Sequence, residues 1–211
     1  MDVSTKTRES FSGKTAFSNI VKFSARKEDK AIQTGPFLDA CLGVVSILDK
    51  LGSAFSVPKK DVLGNIKKIR EHYQTDPGRY KTLDVFLETK QCTGAVLWLK
   101  RALEFLLAFM DSLLRDNSSG VENENLRHNI LQAYESTLKR YHGKMTQFVF
   151  SNIARLVPHR TEFLRAMLTE SDAKIEMVFI DLSLYIPDFR SNIVTVDEML
   201  IAHGLDEQKV V

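Results

Sequence analysis

The amino-acid sequence predicts an all-α protein, and two observations lead to this prediction. Apolar residues recur at intervals of three and four along most of the chain, as they do on the buried face of an amphipathic helix. The alternation of apolar and polar residues that marks a half-buried strand is nowhere sustained. With 44% hydrophobic and 27% charged residues, a chain of 211 residues can bury one substantial core.

Residues 1–30 differ from the rest of the chain because they are rich in Ser, Thr, Lys and Arg. We expect a mobile leader here, with a short helix around Ala16–Phe23. Its acidic residues argue against an organelle transit peptide, and it has no apolar stretch of the kind found in a secretory signal. Residues 31–211 are assigned to a single helical domain, and no window approaches the about 18 apolar residues of a membrane span.

The helical pattern begins after the Gly35-Pro36 start signal and is carried by Phe37, Cys41 and the apolar residues that follow. Further helices are predicted over 60–73, 80–90, 95–115, 125–156, 161–168 and 172–203.

Three of these helices have features of their own. The segment 95–115 is apolar nearly all round, which is typical of a central buried helix. The segment 125–156 is either one long helix or two in series, with Gly143 as the weak point. We expect Thr161 to cap the short helix after it, and Pro187 to interrupt the last one.

Charge and cysteine content exclude several classes of partner. The net charge of +2 comes without the clustered Lys and Arg of a nucleic-acid-binding surface, although transient contact with an anionic membrane remains open. Cys41 and Cys92 are the only cysteines, and neither belongs to a metal-binding spacing. We therefore expect free thiols in a reducing, cytoplasmic compartment, no metal and no cofactor.

Catalytic motifs are missing from the sequence. It contains no GxSxG, HExxH, Walker loop or GxGxxG pattern, and no carboxylate pair spaced for acid–base chemistry on one helix face. We therefore expect a protein that is not an enzyme and has no catalytic residues.

A polar stripe runs along the predicted helix 60–73. Asp61, Asn65 and Lys68 fall within about 60° of one another around the helix, beside the apolar stripe that contains Val62 and Ile66. An acceptor, an amide and an ammonium together suit a polyhydroxyl head group. The same spacing also occurs in an ordinary surface network of side chains, and helical geometry alone favours that alternative.

Two aromatic residues can be interpreted in a similar way. Trp98 is the only tryptophan and can either pack in the core or offer a flat surface to a sugar ring. His142 occurs in a pattern with Leu138, Met145 and Val149, where a histidine is more often a satisfied core residue. It could instead donate a hydrogen bond to a partly desolvated ligand amide.

Four ordered motifs within residues 30–211 resemble the glycolipid transfer protein family. They are Thr-Gly-Pro-Phe-Leu at 34–38, Asp-Val-Leu-Gly-Asn-Ile-Lys-Lys at 61–68, Leu-Trp-Leu-Lys-Arg at 97–101 and Tyr-His-Gly at 141–143. Asp-Leu-Ser-Leu-Tyr at 181–185 and His-Gly-Leu at 203–205 are most similar to the glycolipid-transfer domain of the four-phosphate adaptor proteins that carry a PH domain.

The resemblance implies a two-layer helical sandwich that takes lipid chains into a collapsible apolar pocket. By this resemblance the sugar is bound by Asp61, Asn65, Lys68 and Trp98. The ceramide amide is bound by Asp61 and His142. Candidates for the apolar pocket are Phe105, Phe109, Phe148 and Phe150.

The implied function is the transfer of glycosphingolipids, such as glucosyl-, galactosyl- or lactosylceramide, between membranes that the protein contacts transiently. No covalent step is involved. The phosphate-headed branch of the family typically has a basic residue at the position of Asn65 and lacks the tryptophan, so Asn65 and Trp98 favour a sugar over ceramide-1-phosphate. The expected location is the cytoplasm, peripheral to membranes.

Two departures from the family pattern support an alternative function. The segment between Leu83 and Trp98 is shorter than usual by about ten residues, a large change for a connection. Lys144 stands where relatives usually have a tryptophan after His-Gly. A helical lipid-sensing or interaction module that has lost transfer activity is therefore the second hypothesis.

Overall fold

The computed structural model describes residues 10–25, 31–120, 123–207 and 210. In these ranges the chain forms α-helices and short 3₁₀ turns, and β-structure is limited to two isolated bridges. The helices are α1 (Ala16–Asn19), α2 (Thr34–Val45), α3 (Ser56–Thr75), α4 (Leu83–Glu88), α5 (Thr93–Ser118), α6 (Leu126–Ser136), α7 (Lys144–Ile153), α8 (Arg160–Ala166) and α9 (Ile175–Ala202).

Helix α5 is the centre of the two-layer helical sandwich, as its apolar sequence predicted. It packs against α3, α6 and α9, and α3 in turn packs against α2. The side chains of Leu103 and Phe109 are completely buried within it. Because α3 lies directly against α5, any side chain at the edge of the α3 interface is brought close to Trp98.

The segment predicted as one or two helices consists of two, and the break between them matters for function. Helix α6 ends at Ser136, and a 3₁₀ turn over Lys139–Tyr141 leads to an extended His142. Gly143 then precedes the first residue of α7. His142 therefore lies in the break and not on a helix face, as its spacing from Leu138 had suggested.

Two predictions about helix ends are wrong. Pro187 does not interrupt α9, which continues through it. The carbonyl that Pro187 leaves without a helical donor belongs to Ser183, and both residues are exposed, so water can replace the lost hydrogen bond. Thr161 does not cap α8 but lies inside it, where its hydroxyl donates to Glu124 Oε1 at 2.5 Å.

The short connection before α5 produces a small, strained link. Helix α4 has only six residues, and the chain then reaches α5 through Lys90 and Cys92, each with φ of 55°. Non-glycine residues rarely adopt this left-handed conformation. Leu83, Phe86 and Leu87 of α4 are nevertheless buried, so this short segment contributes to the core.

The leader prediction is wrong for residues 10–25, which we call the N-terminal strap. Phe17 and Phe23 of the strap are buried, and Phe23 stacks on Phe189 of α9 with ring centroids 4.8 Å apart. The apolar side chains scattered among its polar residues therefore anchor it to the core. Residues 1–9 and 26–30 lie outside the described residues, so the prediction stays open for them.

The buried carboxylate of Asp181 on α9 ties the strap down. It accepts hydrogen bonds from the backbone N–H of Ser12 at 2.7 Å and from the hydroxyls of Ser12, Thr15 and Ser18 at 2.6, 2.6 and 2.5 Å. Burial alone would raise the pKa of Asp181, but the hydrogen bonds from Ser12, Ser18 and Thr15 outweigh burial and hold the pKa below its ordinary value.

Candidate functional site

The predicted polar stripe lies on α3 along a surface groove of about 350 Å³. No hydrogen bond or ion pair involves the side chains of Asp61, Asn65 or Lys68 within the part of the chain that the structure describes. The groove is lined by Val57, Lys60, Asp61, Gly64, Asn65 and Lys68. The surface network that helical spacing favoured is therefore not formed, and these groups are available to a ligand.

Charged residues elsewhere on α3 contrast with the polar stripe. Lys67 pairs with Glu71 at 3.7 Å, and Arg70 pairs with Asp39 at 2.7 Å. These are the ordinary partners that charged residues on a helix surface find. The lack of partners is therefore a feature of the polar stripe and not of every charged residue on α3.

A second cavity of about 310 Å³ adjoins the groove and shares Asp61 and Val57 with it. Its polar members are Asp61, Trp98, His142 and Thr146. The remaining lining is apolar and consists of Val57, Pro58, Val62, Ala102, Leu138, Val149, Phe150 and Ile153. The structure thus brings Asp61, Trp98 and His142 together, with the groove of Asn65 and Lys68 beside them.

The rings of Trp98 and His142 stack, with centroids 5.6 Å apart and planes inclined by 16°. The hydroxyl of Tyr134 lies 3.0 Å from Nδ1 of His142. Burial lowers the pKa of His142, the Asp61 carboxylate acts in the opposite direction, and the charge of Arg101 lowers it further. His142 is therefore neutral at pH 7 and keeps one N–H for a ligand carbonyl.

The four phenylalanines predicted to line the pocket lie in different places relative to the cavity. Phe150 lines the cavity and stacks on Tyr134 with centroids 3.9 Å apart. Phe105 is buried directly behind it, in an edge contact with centroids at 5.7 Å. Phe109 is also buried but packs against Phe163 and does not line the cavity.

The prediction that Phe148 lines the apolar pocket is wrong, because its side chain is 67% exposed and does not line the cavity. Two positions along α7 correspond to a rotation of about 200°, so Phe148 and Phe150 cannot both face the core. Phe150 takes the buried position, and Phe148 points to the surface with Met145, which is 76% exposed.

Tyr134 and Arg101 are site residues that the sequence prediction missed. Tyr134 falls within the predicted helical segment 125–156, and its contact with His142 depends on the break after α6, which periodicity does not locate. The contact between Arg101 and Trp98 could have been predicted, because Arg101 lies three residues after Trp98 on one helix and residues at that spacing are neighbours.

The arrangement is suited to binding a ligand that has both polar and apolar parts. Carboxylate, amide and ammonium groups line the polar groove, and the imidazole of His142 lines the mostly apolar cavity that adjoins it. In the described ranges no cluster of three or more His, Cys, Asp and Glu could hold a metal ion, and no helix has the length and apolar character to cross a membrane.

Comparison with known proteins decides the family. The model of the family described as "Glycolipid transfer protein (GLTP)" matches residues 32–169, which include α2 to α8 and all the predicted site residues. The chain belongs to the glycolipid transfer protein family. The members of this family are lipid transfer proteins that carry glycolipids or ceramide-1-phosphate, and they are not enzymes.

Two relatives illustrate the extent of the similarity within the glycolipid transfer protein family. The glycolipid transfer protein of Danio rerio is 38% identical over 168 residues, which cover 74% of this chain and 80% of the relative. Human pleckstrin homology domain-containing family A member 8 is 33% identical over 213 aligned positions, which cover 93% of this chain. The chain spans only 39% of that longer relative.

The solved structures agree with this assignment to the glycolipid transfer protein family. A structure described as showing how FAPP2 selects simple glycosphingolipids with the GLTP fold has a TM-score of 0.81 and 32% identity, and the match covers 93% of this chain and 100% of that chain. Mouse ceramide-1-phosphate transfer protein shares the fold, with a TM-score of 0.75 at 21% identity over 91% of this chain and 95% of that chain. The fold is therefore common to proteins named for different lipids.

Proposed function

We propose that this protein transfers glycosphingolipids between membranes by non-covalent binding. One observation carries the proposal. Asp61 lines both the polar groove on α3 and the mostly apolar cavity, and Trp98 and His142 also line that cavity. A glycosphingolipid has polar and apolar groups in the same order: its sugar is next to an amide, and the amide is next to the alkyl chains. Asp61 lies where sugar and amide meet.

The hydrogen-bonding groups of the groove favour a sugar over a phosphate. Lys60 and Lys68 are its cations, and the Asp61 carboxylate lies beside them. The two lysines would attract a phosphate, but an ionised phosphate only accepts hydrogen bonds and would leave the acceptors of Asp61 and Asn65 without a donor. Sugar hydroxyls can instead donate to Asp61 and exchange hydrogen bonds with the amide of Asn65.

The alkyl chains require the cavity to open. Its volume of about 310 Å³ is at the small end of the range for ligand pockets. Phe105 and Phe150 fill the space next to it, so chain insertion must separate side chains that are packed in the lipid-free state. We infer that the lipid-free pocket is collapsed and expands around its cargo.

The surface around the cavity suits contact with a membrane. Val57 and Val149 line the cavity and are exposed, and Met145 and Phe148 extend the same apolar surface along α7. Large apolar patches of this kind mark interaction sites. Lys144, at the start of α7, stands where relatives usually have a tryptophan that can contact the membrane interface. We infer that Met145 and Phe148 make this contact instead.

The location that fits this function is the cytosolic surface of membranes, with the protein bound only transiently. Cys41 is buried and Cys92 is partly exposed, and both are free thiols. Free thiols are typical of a reducing compartment.

Transfer of fluorescent galactosylceramide between vesicles tests the proposal, with ceramide-1-phosphate as the competing cargo. We expect transfer of the glycolipid, little transfer of the phosphate, and mass-spectrometric detection of glycolipid on the purified protein. Preferential transfer of ceramide-1-phosphate would overturn the sugar assignment. Stoichiometric glycolipid binding without transfer would instead favour a lipid-sensing module.

A further inference from the structure

The side chain of Arg101 is buried between two aromatic rings of the site. Only 2% of it is exposed, and its guanidinium carbon lies 5.0 Å from the ring centroid of Trp98 and 3.5 Å from that of Tyr141. A guanidinium stacked on aromatic faces in a desolvated place is held more strongly than at an exposed site. Arg101 therefore restrains the indole that the proposed function assigns to the sugar.

The chain after α9 holds Arg101 in turn. At Gly204, with φ of 67°, the chain turns back, and the Leu205 N–H donates to the Leu200 carbonyl at 2.8 Å. This turn brings residues 203–207, the C-terminal tail, to Arg101. Nη2 of Arg101 donates to the backbone carbonyl of Glu207 and lies 3.9 Å from the Asp206 carboxylate.

The guanidinium has few other attachments. Its Nε is buried and has no hydrogen-bond partner among the described residues. The tail and the two rings therefore supply its main restraints. Loss of the tail contacts would leave a buried charge poorly compensated, which is costly, so the position of the tail and that of Arg101 are coupled.

Trp98 also has space into which it could turn. A cavity of about 210 Å³ lies beside it, separate from the lipid cavity, and is lined by Thr93, Gly94, Leu97, Trp98, Arg101, Leu205 and Glu207. If Arg101 no longer restrains it, the indole can move into this space. A side chain with an empty neighbouring cavity needs a specific restraint to keep a single orientation.

We propose that Arg101 is a positioning residue that fixes the orientation of Trp98 for sugar stacking, and that the C-terminal tail holds Arg101 in place. The role of Trp98 in sugar stacking rests on the proposed function, whereas the restraint of Trp98 by Arg101 does not depend on any lipid. Because Trp98 is the only tryptophan, intrinsic fluorescence reports on this one side chain.

The test compares Arg101→Lys, Arg101→Gln and Asp206→Asn in the full chain. Arg115→Gln serves as a control on the exposed end of α5, and Glu207→Gln as a control that leaves the carbonyl in place. Emission and acrylamide quenching of Trp98 are measured without lipid, binding to galactosylceramide vesicles is measured separately, and circular dichroism verifies folding. We expect stronger quenching in the two Arg101 variants and in Asp206→Asn, about tenfold weaker binding in both Arg101 variants, and unchanged controls.

Unchanged quenching in folded Arg101→Lys and Asp206→Asn would overturn the proposal, even if Arg101→Gln fails to fold. Stronger quenching in those two variants, with unchanged controls, supports the restraint on Trp98. If that shift occurs but the wild-type protein binds no galactosylceramide, the restraint stands and the proposed cargo fails. The two failures are therefore distinguishable.

Discussion

The hydroxyl oxygen of Tyr134 lies 3.0 Å from Nδ1 of His142. Burial raises the pKa of Tyr134 to about 12, so the phenol keeps its proton at neutral pH and can donate it to Nδ1. With the phenol as the donor, the proton of His142 is on Nε2, which can donate to a ligand carbonyl. Tyr134 can therefore fix the tautomer of this candidate binding residue from a position outside the predicted site.

Tyr134→Phe is expected to weaken galactosylceramide binding about fivefold, the effect of one lost hydrogen bond. The cause is that the imidazole loses the partner that fixes its tautomer. Isothermal titration with the solubilised lipid measures the change. Tyr185→Phe is the matched control, because the buried Tyr185 hydroxyl has no partner among the described residues. Equal effects of the two substitutions would contradict this role for Tyr134.

The free energy of unfolding should depend on the protonation of His142. Its folded-state pKa is lowered, chiefly by burial, whereas the unfolded chain titrates near the ordinary value of 6.5. The unfolded state therefore binds more protons in this window, and stability falls as pH drops below 6.5 through the folded-state pKa. Urea unfolding from pH 7.5 to 5 should show this slope, and His142→Gln should reduce it. An unchanged slope in the variant would assign the effect to another group.

Asp61→Asn should abolish most glycolipid binding and leave stability nearly unchanged. Asp61 is exposed and makes no ion pair in the described structure, so the fold does not depend on its charge. Loss of a charged acceptor to sugar and amide should weaken affinity by about 10- to 100-fold. Glu71→Gln, which removes the partner of Lys67 and does not change a residue of the groove, is the control for binding and for thermal unfolding. A large drop in the unfolding temperature would show that Asp61 has a structural role instead.

Phe148→Ser should reduce partition of the protein onto vesicles without affecting its affinity for solubilised glycolipid. Phe148 is exposed beside the cavity and does not line it, so its contribution is to the membrane-bound state. Ile201→Ser is a suitable control because Ile201 is 58% exposed on α9. Vesicle sedimentation measures the partition. If both substitutions reduce it alike, the docking surface is not the one around α7.

Asp181→Ala should destabilise the fold by about 3 kcal/mol, as expected when a buried, hydrogen-bonded carboxylate is removed. The substitution leaves the donors of Ser12, Thr15 and Ser18 without their acceptor. Asp39→Ala removes an exposed ion pair and should cost well under about 1 kcal/mol. Chemical denaturation measures both variants, and a similar small loss in the two would mean that the strap adds little stability.

Periodicity predicted the helices well where an apolar stripe is long, as in α3 and α5. It failed where tertiary contacts decide: the strap packs because Phe17 and Phe23 find an aromatic cluster, although its polar composition predicted a mobile leader. The continuation of α9 through Pro187 depends on solvent access to one carbonyl, which composition does not reveal.

The site could be predicted only in part for a similar reason. Helical geometry placed Asp61, Asn65 and Lys68 on one face, but it could not show that they lack partners. The grouping of Asp61 with Trp98 and His142 was implied by family resemblance, and the structure places the three around one cavity. Phe148 and Phe150 were indistinguishable as sequence letters, and only the orientation of α7 separates the exposed ring from the buried one.

The hydrogen bond between Ser12 and Asp181 joins positions that are 169 residues apart. During synthesis the strap is made before its anchor on α9. Phe17 and Phe23 therefore stay without their docking site until α9 has been made. A nascent chain in this state exposes aromatic side chains that chaperones recognise, and docking of the strap onto α9 should be a late step of folding.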